Sequence, residues 1–157
     1  MAVTKGIERL RQGLSTEALQ LFNKALEVDP TNIDALVARG ALYANTDCFA
    51  LAVKDFEEAL KLDSSHSNAR KYLLETLMTQ AKMLEKRGKR DRAAKLYRKV
   101  LNLDSEHQEA FQRLQKLSEK ELFILFIMLI ILFLFCISFF PLFLFNVIFV
   151  SVFCGIL

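Results

Sequence analysis

Two histidines and three cysteines are the side chains best suited to hold a metal or attack an electrophile. His66 and His107 stand in similar company, in Asp63-Ser64-Ser65-His66 and Asp104-Ser105-Glu106-His107. A carboxylate near an imidazole is raw material for a metal site. The same residues also make a turn leading into a helix cap, and the sequence around them favours that plainer reading. Cys48 stands alone, and Cys136 and Cys154 lie in an apolar tail. No cysteine pair has metal-ligand spacing, and an odd count does not suit a disulfide framework, so a reducing, intracellular setting is expected. There is no phosphate loop, no H-E-x-x-H and no Cys/His pair beside a base. The adjacent carboxylates Glu57 and Glu58 fall on solvent-facing positions. A non-enzymatic protein without metal or cofactor is predicted.

Charge offers a second kind of chemistry. Residues 82–99 contain nine basic and two acidic side chains, in a chain whose net charge is +3. The densest part is Lys86, Arg87, Lys89, Arg90 and Arg92. Such a patch suits RNA, an acidic protein or anionic lipid. No set of base-stacking aromatics accompanies it, and the plainer reading is a solvated outer face.

The elements that would carry these residues follow from an internal repeat. Gly6 and Gly40, Ala18 and Ala52, Phe22 and Phe56, and Ala25 and Ala59 are each 34 residues apart. Pro30 follows the first repeat, and Tyr43 sits in the second. A third copy places Gly88, Ala93, Tyr97, Val100 and Asp104 in the roles of loop Gly, small residue, aromatic, small residue and terminal Asp. Ala52 to Ala93 is 41 residues, seven more than the period. Seven residues are about two helical turns, which rotate the apolar stripe by only ~20°. One long helix is therefore predicted from about Asn68 to Arg87. Small residues let two antiparallel helices approach, the aromatics fill the space beside them, and stacked neighbours complete the core. Ala110, Phe111, Leu114 and Leu117 give one further helical face, which suits a capping helix.

This pattern resembles the tetratricopeptide repeat, which implies an all-α helix-turn-helix solenoid. The expected organisation is a solenoid over 1–120, with repeats at about 1–32, 33–66 and 67–107 and a capping helix at 108–120. A hydrophobic segment follows over 121–157. The wording of repeats two and three is narrower. Ala35-Leu36-Val37-Ala38-Arg39-Gly40-Ala41-Leu42-Tyr43-Ala44, Asn68-Ala69-Arg70-Lys71-Tyr72-Leu73 and Leu96-Tyr97-Arg98-Lys99-Val100-Leu101 resemble the repeat region of the tetratricopeptide repeat protein 14 family. That family carries an S1-type RNA-binding domain before its repeats and a long charged region after them. This chain shows neither, so it reads as a fragment or alternative product, and the RNA-binding residues do not carry over.

The resemblance implies a protein-interaction scaffold whose concave side is lined by the first helix of each repeat. Repeat one would present Val3, Ile7, Leu10 and Arg11. Repeat two would present Asp34, Val37, Ala41, Ala44 and Asn45. That floor is apolar and small, and it suits a helix or an apolar extended segment of a partner. The alternative is that Val3, Ile7 and Leu10 simply pack on each other at the end of the domain. Chaperone co-factors with such repeats grip a C-terminal carboxylate with Lys, Asn and Arg at fixed places. Here those places hold Val3, Ile7, Ala38, Glu75 and Thr79, and only Thr79 offers even a weak donor. Binding of chaperone tails is not expected.

The last segment is chemically separate. All 21 basic and 18 acidic residues lie before residue 122. Leu122–Phe140 is long enough for a membrane helix, and Pro141 is expected to end it. Arg113, Lys116 and Lys120 precede the run, a bias that would keep the repeats cytosolic on a tail anchor. An equally simple origin is read-through of T-rich noncoding DNA, because Phe, Leu, Ile, Met and Val codons share T at their second position. The repeats would then be soluble, cytoplasmic or nuclear.

Overall fold

The computed structural model describes the backbone of residues 2–154 and the side chains of residues 2–119, 122–132, 134 and 135. It is all-helical: α1 (Ala2–Arg11), α2 (Ser15–Val28), α3 (Ile33–Asn45), α4 (Phe49–Leu62), α5 (Ser67–Lys86), α6 (Arg90–Leu103) and α7 (Gln108–Cys154). The chain divides into one unit over Met1–Leu114 and another over Gln115–Leu157.

In the first unit, α1 packs on α2, α3 on α4 and α5 on α6, and each pair stacks on the next. Phe22, Phe56 and Tyr97 are fully buried, as are Ala18, Ala52 and Ala93. Burial of each ring contributes about 1.5–3 kcal/mol. A β-carbon on Gly40 would stand 2.7 Å from Cε1 of Phe56, and one on Gly6 would overlap the Phe22 ring. Glycine is therefore what lets α1 and α3 reach their partners. The apolar core continues between pairs through Ala25, Leu26, Ala35, Leu36, Ala59 and Ala69.

Two kinds of turn alternate. Within each pair the first helix closes on a left-handed residue: Gly13 (φ 78), Asp47 (φ 58) and Gly88 (φ 72). The next amide reaches back five residues, from Leu14 to Arg9, Cys48 to Tyr43 and Lys89 to Leu84, each at 2.9 Å. This is the Schellman closure. Between pairs, Asp29, Asp63 and Asp104 each accept a backbone N–H two residues on. The following helix is then capped by a side chain that accepts from its third amide. Asn32 Oδ1 takes Ala35 N–H at 2.9 Å, His66 Nδ1 takes Ala69 N–H at 3.1 Å, and His107 Nδ1 takes Ala110 N–H at 3.3 Å. The two histidines are thus helix caps, and no group of side chains able to hold a metal occurs among the described residues.

The seven extra residues of the third repeat sit in the first half of α5, which has 20 residues against 13 in α3. Ala81 stands as far before Tyr97 as Gly40 stands before Phe56, and both Ala81 and Tyr97 are fully buried. In the second unit, the described side chains from Leu122 to Phe135 are exposed. The backbone stays helical through Pro141, where the sequence predicts an end. A stretch with few polar side chains offers the backbone little besides its own carbonyls. Among the described residues no helix is long and apolar enough to cross a membrane. The described residues therefore do not show the expected span, and its side chains from 136 onward lie outside them.

Asp47 is a β-carbon-bearing residue in a conformation that glycine holds in the other two pairs. Asp47→Gly is expected to raise the unfolding free energy by about 1 kcal/mol in urea titration. An unchanged or lower midpoint would assign the Asp47 side chain a compensating contact.

Candidate partner-binding groove

The first helices of the pairs face one open side of the stack. Val3, Ile7, Leu10, Asp34, Val37 and Ala41 line one cavity of about 980 Å³ there, together with Arg11, Ala38, Asn68 and Tyr72. A second cavity of about 360 Å³ adjoins it, sharing Ala41 and Tyr72 and adding Ala44, Asn45, Glu75 and Thr79. All eight residues expected at the groove thus line one of two adjoining cavities. Their floor is Val3, Leu10, Val37, Ala38 and Ala41, all half-buried, with Ile7 40% exposed. Val3 also packs against the core, as the end-of-domain alternative requires. Tyr72 was not anticipated. Its ring meets Phe56 at 6.0 Å between centroids and closes the floor on the α5 side.

Two polar networks fix the walls. Arg39 on α3 grips Asp55 on α4 with both forks, Nε to Oδ2 at 2.7 Å and Nη2 to Oδ1 at 2.8 Å. Its Nη1 donates to Asn23 Oδ1 on α2 at 2.9 Å, and its guanidinium lies over Tyr43. Asp55 is buried, so the pair is a desolvated one. The hydrogen bond to Asp55 holds the Arg39 guanidinium above its ordinary value, while burial works the other way. One side chain thereby ties three helices of the first two repeats.

The second network joins α5, α6 and the start of α7. Tyr97 Oη donates to Glu85 Oε2 at 2.9 Å, and Arg113 Nη1 donates to the same oxygen at 3.0 Å. Arg113 Nε reaches Glu109, which also accepts from Lys82 Nζ. Burial, then the bond to Glu85, pushes the Tyr97 phenol well above its usual range. The bonds from Lys82 and Arg113 lower the Glu109 carboxyl. Neither network was anticipated. Each joins residues on different helices, and the only sequence signal is a charged residue at a position facing a neighbour.

The remaining anticipated residues are placed plainly. Gly6, Ala18, Phe22, Ala25, Gly40, Ala52, Phe56, Ala59, Ala93 and Tyr97 are buried. Pro30 lies in the exposed turn after α2, Tyr43 is half-buried beside Arg39, and Gly88 is exposed. Lys86, Arg87, Lys89, Arg90 and Arg92 are exposed around the α5–α6 turn and take no part in the groove. A further cleft of about 560 Å³ lies between the lengthened half of α5 and the α6–α7 turn, over Leu74 and Met78.

Arg39→Leu leaves Asp55 buried without its partner and should lower stability by about 3–5 kcal/mol in denaturant unfolding. Replacing both residues by an apolar pair is expected to recover most of that loss. A single variant as stable as the wild type would show the pair to be dispensable.

The family model described as tetratricopeptide repeat matches residues 21–54. Tetratricopeptide repeat protein 14 of Mus musculus is 44% identical over 112 residues, which cover 71% of this chain and 15% of that protein. DnaJ homolog subfamily C member 3 of Gallus gallus is 30% identical over 124 residues, covering 74% and 23%. The chain therefore spans less than a quarter of the length of these curated relatives. Among solved structures, the N-terminal domain of stress-induced protein-1 from C. elegans superimposes with a TM-score of 0.54 at 20% identity, covering 74% of this chain and 91% of that one. The second TPR domain of human RPAP3, solved in complex with an HSP70 peptide, gives 0.50 at 21% identity, covering 74% and 92%. The repeat spacing, the paired helices and these likenesses agree: the chain belongs to the tetratricopeptide repeat family.

Proposed function

We propose that the chain is a protein-interaction scaffold whose groove over α1, α3 and α5 holds a segment of a partner protein. The observation that carries this is the adjoining pair of cavities that Val3, Ile7, Leu10, Val37, Ala41 and Tyr72 line. A floor of small apolar side chains with polar rims suits the apolar face of a helix or alternate side chains of an extended segment. The RPAP3 domain was solved with the acidic HSP70 peptide SGPTIEEVD. The groove described here favours a different occupant. Val3, Ile7, Ala38, Glu75 and Thr79 hold the places where chaperone co-factors put cations and amides, so a terminal carboxylate would lose its charge-assisted bonds.

Selection of displayed peptides on the full chain tests this reading. Internal apolar segments are expected to be selected, and Ala41→Arg should weaken them by at least about tenfold by filling the floor with a charge. Recovery of acidic C-terminal peptides, or binding indifferent to Ala41→Arg, would contradict it.

A second reading is membrane tethering through residues 122–157. Its support is the exposure of the apolar side chains described from Leu122 to Phe135, on every side of the helix. A helix apolar all round is a lipid-facing pattern. The full chain should float with phosphatidylcholine vesicles, and a variant carrying Ile124→Lys, Ile127→Lys and Ile131→Lys should stay in the dense fractions. A full chain that does not float would end this reading.

A further inference from the structure

The turn between α5 and α6 carries five cations within seven residues, Lys86 to Arg92, all exposed. None of the five shares a salt bridge with a described carboxylate, whereas the flanking Lys82 and Lys99 are held by Glu109 and Glu57. The equivalent turns of the other pairs show that the fold does not require this charge. Residues 45–51 contain no cation, and residues 11–17 contain only Arg11, which pairs with Glu8. Yet all three turns close on a left-handed residue and the same backward hydrogen bond.

Lys86 and Arg87 suit the C-terminal end of α5, but the other three cations stand where they oppose folding. Arg90 and Arg92 lie in the first turn of α6, after Lys89 at its N-cap. Positive charge there works against the helix dipole. Asp91 in the same turn offsets this in part, whereas the first turn of α2 carries Glu17 and no cation. The five cations also repel one another, with Asp91 as the one counter-charge in the run. The excess charge at the start of α6 thus has a local cost, and no described salt bridge offsets it.

We propose that the α5–α6 turn docks an acidic segment of a partner protein, a run of Asp, Glu or phosphorylated side chains. Three of the five cations are arginines, whose planar forks donate paired N–H bonds to a carboxylate or phosphate. Single-stranded polynucleotide is the poorer fit, because binding it draws on exposed aromatic rings as well as charge. Tyr97 is the one aromatic residue in 82–99, and it is fully buried with its hydroxyl on Glu85. The inference stands apart from the groove reading, since the two share no residue.

The test uses the full chain in neutral detergent, with fluorescently labelled decaglutamate and decauridylate as probes. Changing Lys86, Arg87, Lys89, Arg90 and Arg92 together to Gln should weaken decaglutamate binding by about tenfold or more. Wild-type affinity should also fall between about 50 and about 200 mM salt. The variant should melt no lower than the wild type, so that lost binding is not lost folding. Decaglutamate affinity unchanged in the variant, decauridylate binding tighter than decaglutamate, or a lower melting point would each overturn the proposal.

Discussion

The ring of Phe56 fills the space that a β-carbon on Gly40 would need, and Phe22 fills it at Gly6. Most of the first unit depends on contacts of this type. They set how closely two helices of a pair approach, and so how far the first helices stand from those of the next pair. A short, wide helix pair has too little apolar area to be stable alone, and stacking supplies the rest. The groove is the open side of that stack. Its floor is narrow and apolar because the residues that make it, Val37, Ala38 and Ala41 among them, flank the glycine that brings α3 onto α4.

Polar groups then fix the register. The Arg39–Asp55 pair is a poor source of net stability, because both ions leave water to form it. What it provides is a single arrangement of α2, α3 and α4, since no other described carboxylate meets the fork. Glu85, shared between Tyr97 and Arg113, does the same for α5, α6 and the first turns of α7. Between these two networks lies the lengthened α5. Two added turns keep the apolar stripe of α5 on one side, so that α5 packs on both α4 and α6. The array therefore tolerates an insertion that would disrupt a fold of less regular period.

Much of this was legible because repetition is a strong signal. Phe22 and Phe56 reveal each other by their spacing, and Gly6 and Gly40 identify the helix face beside them. The third repeat is less legible. Gly88 stands out as the loop glycine, but Ala81, at the matching distance before Tyr97, does not, because the insertion lies between it and the start of its helix. The histidines show a different limit. Their position in the turn was readable, but their Nδ1 atoms as helix caps in the place of Asn32 were not, because that role depends on ring orientation. The ion networks were invisible for a related reason: a bond between neighbouring helices leaves no local pattern. The apolar tail was plain as composition, yet composition alone does not say what its surface meets.

The claim that the concave face is the working surface is tested most directly by hydrogen–deuterium exchange of the full chain with and without a selected peptide. The account predicts slower exchange in α1, α3 and the first half of α5, centred on Ile7, Val37, Ala41 and Tyr72, with α2, α4 and α6 unchanged. Protection confined to α2, α4 and α6 would place the binding surface on the other side of the stack and contradict it.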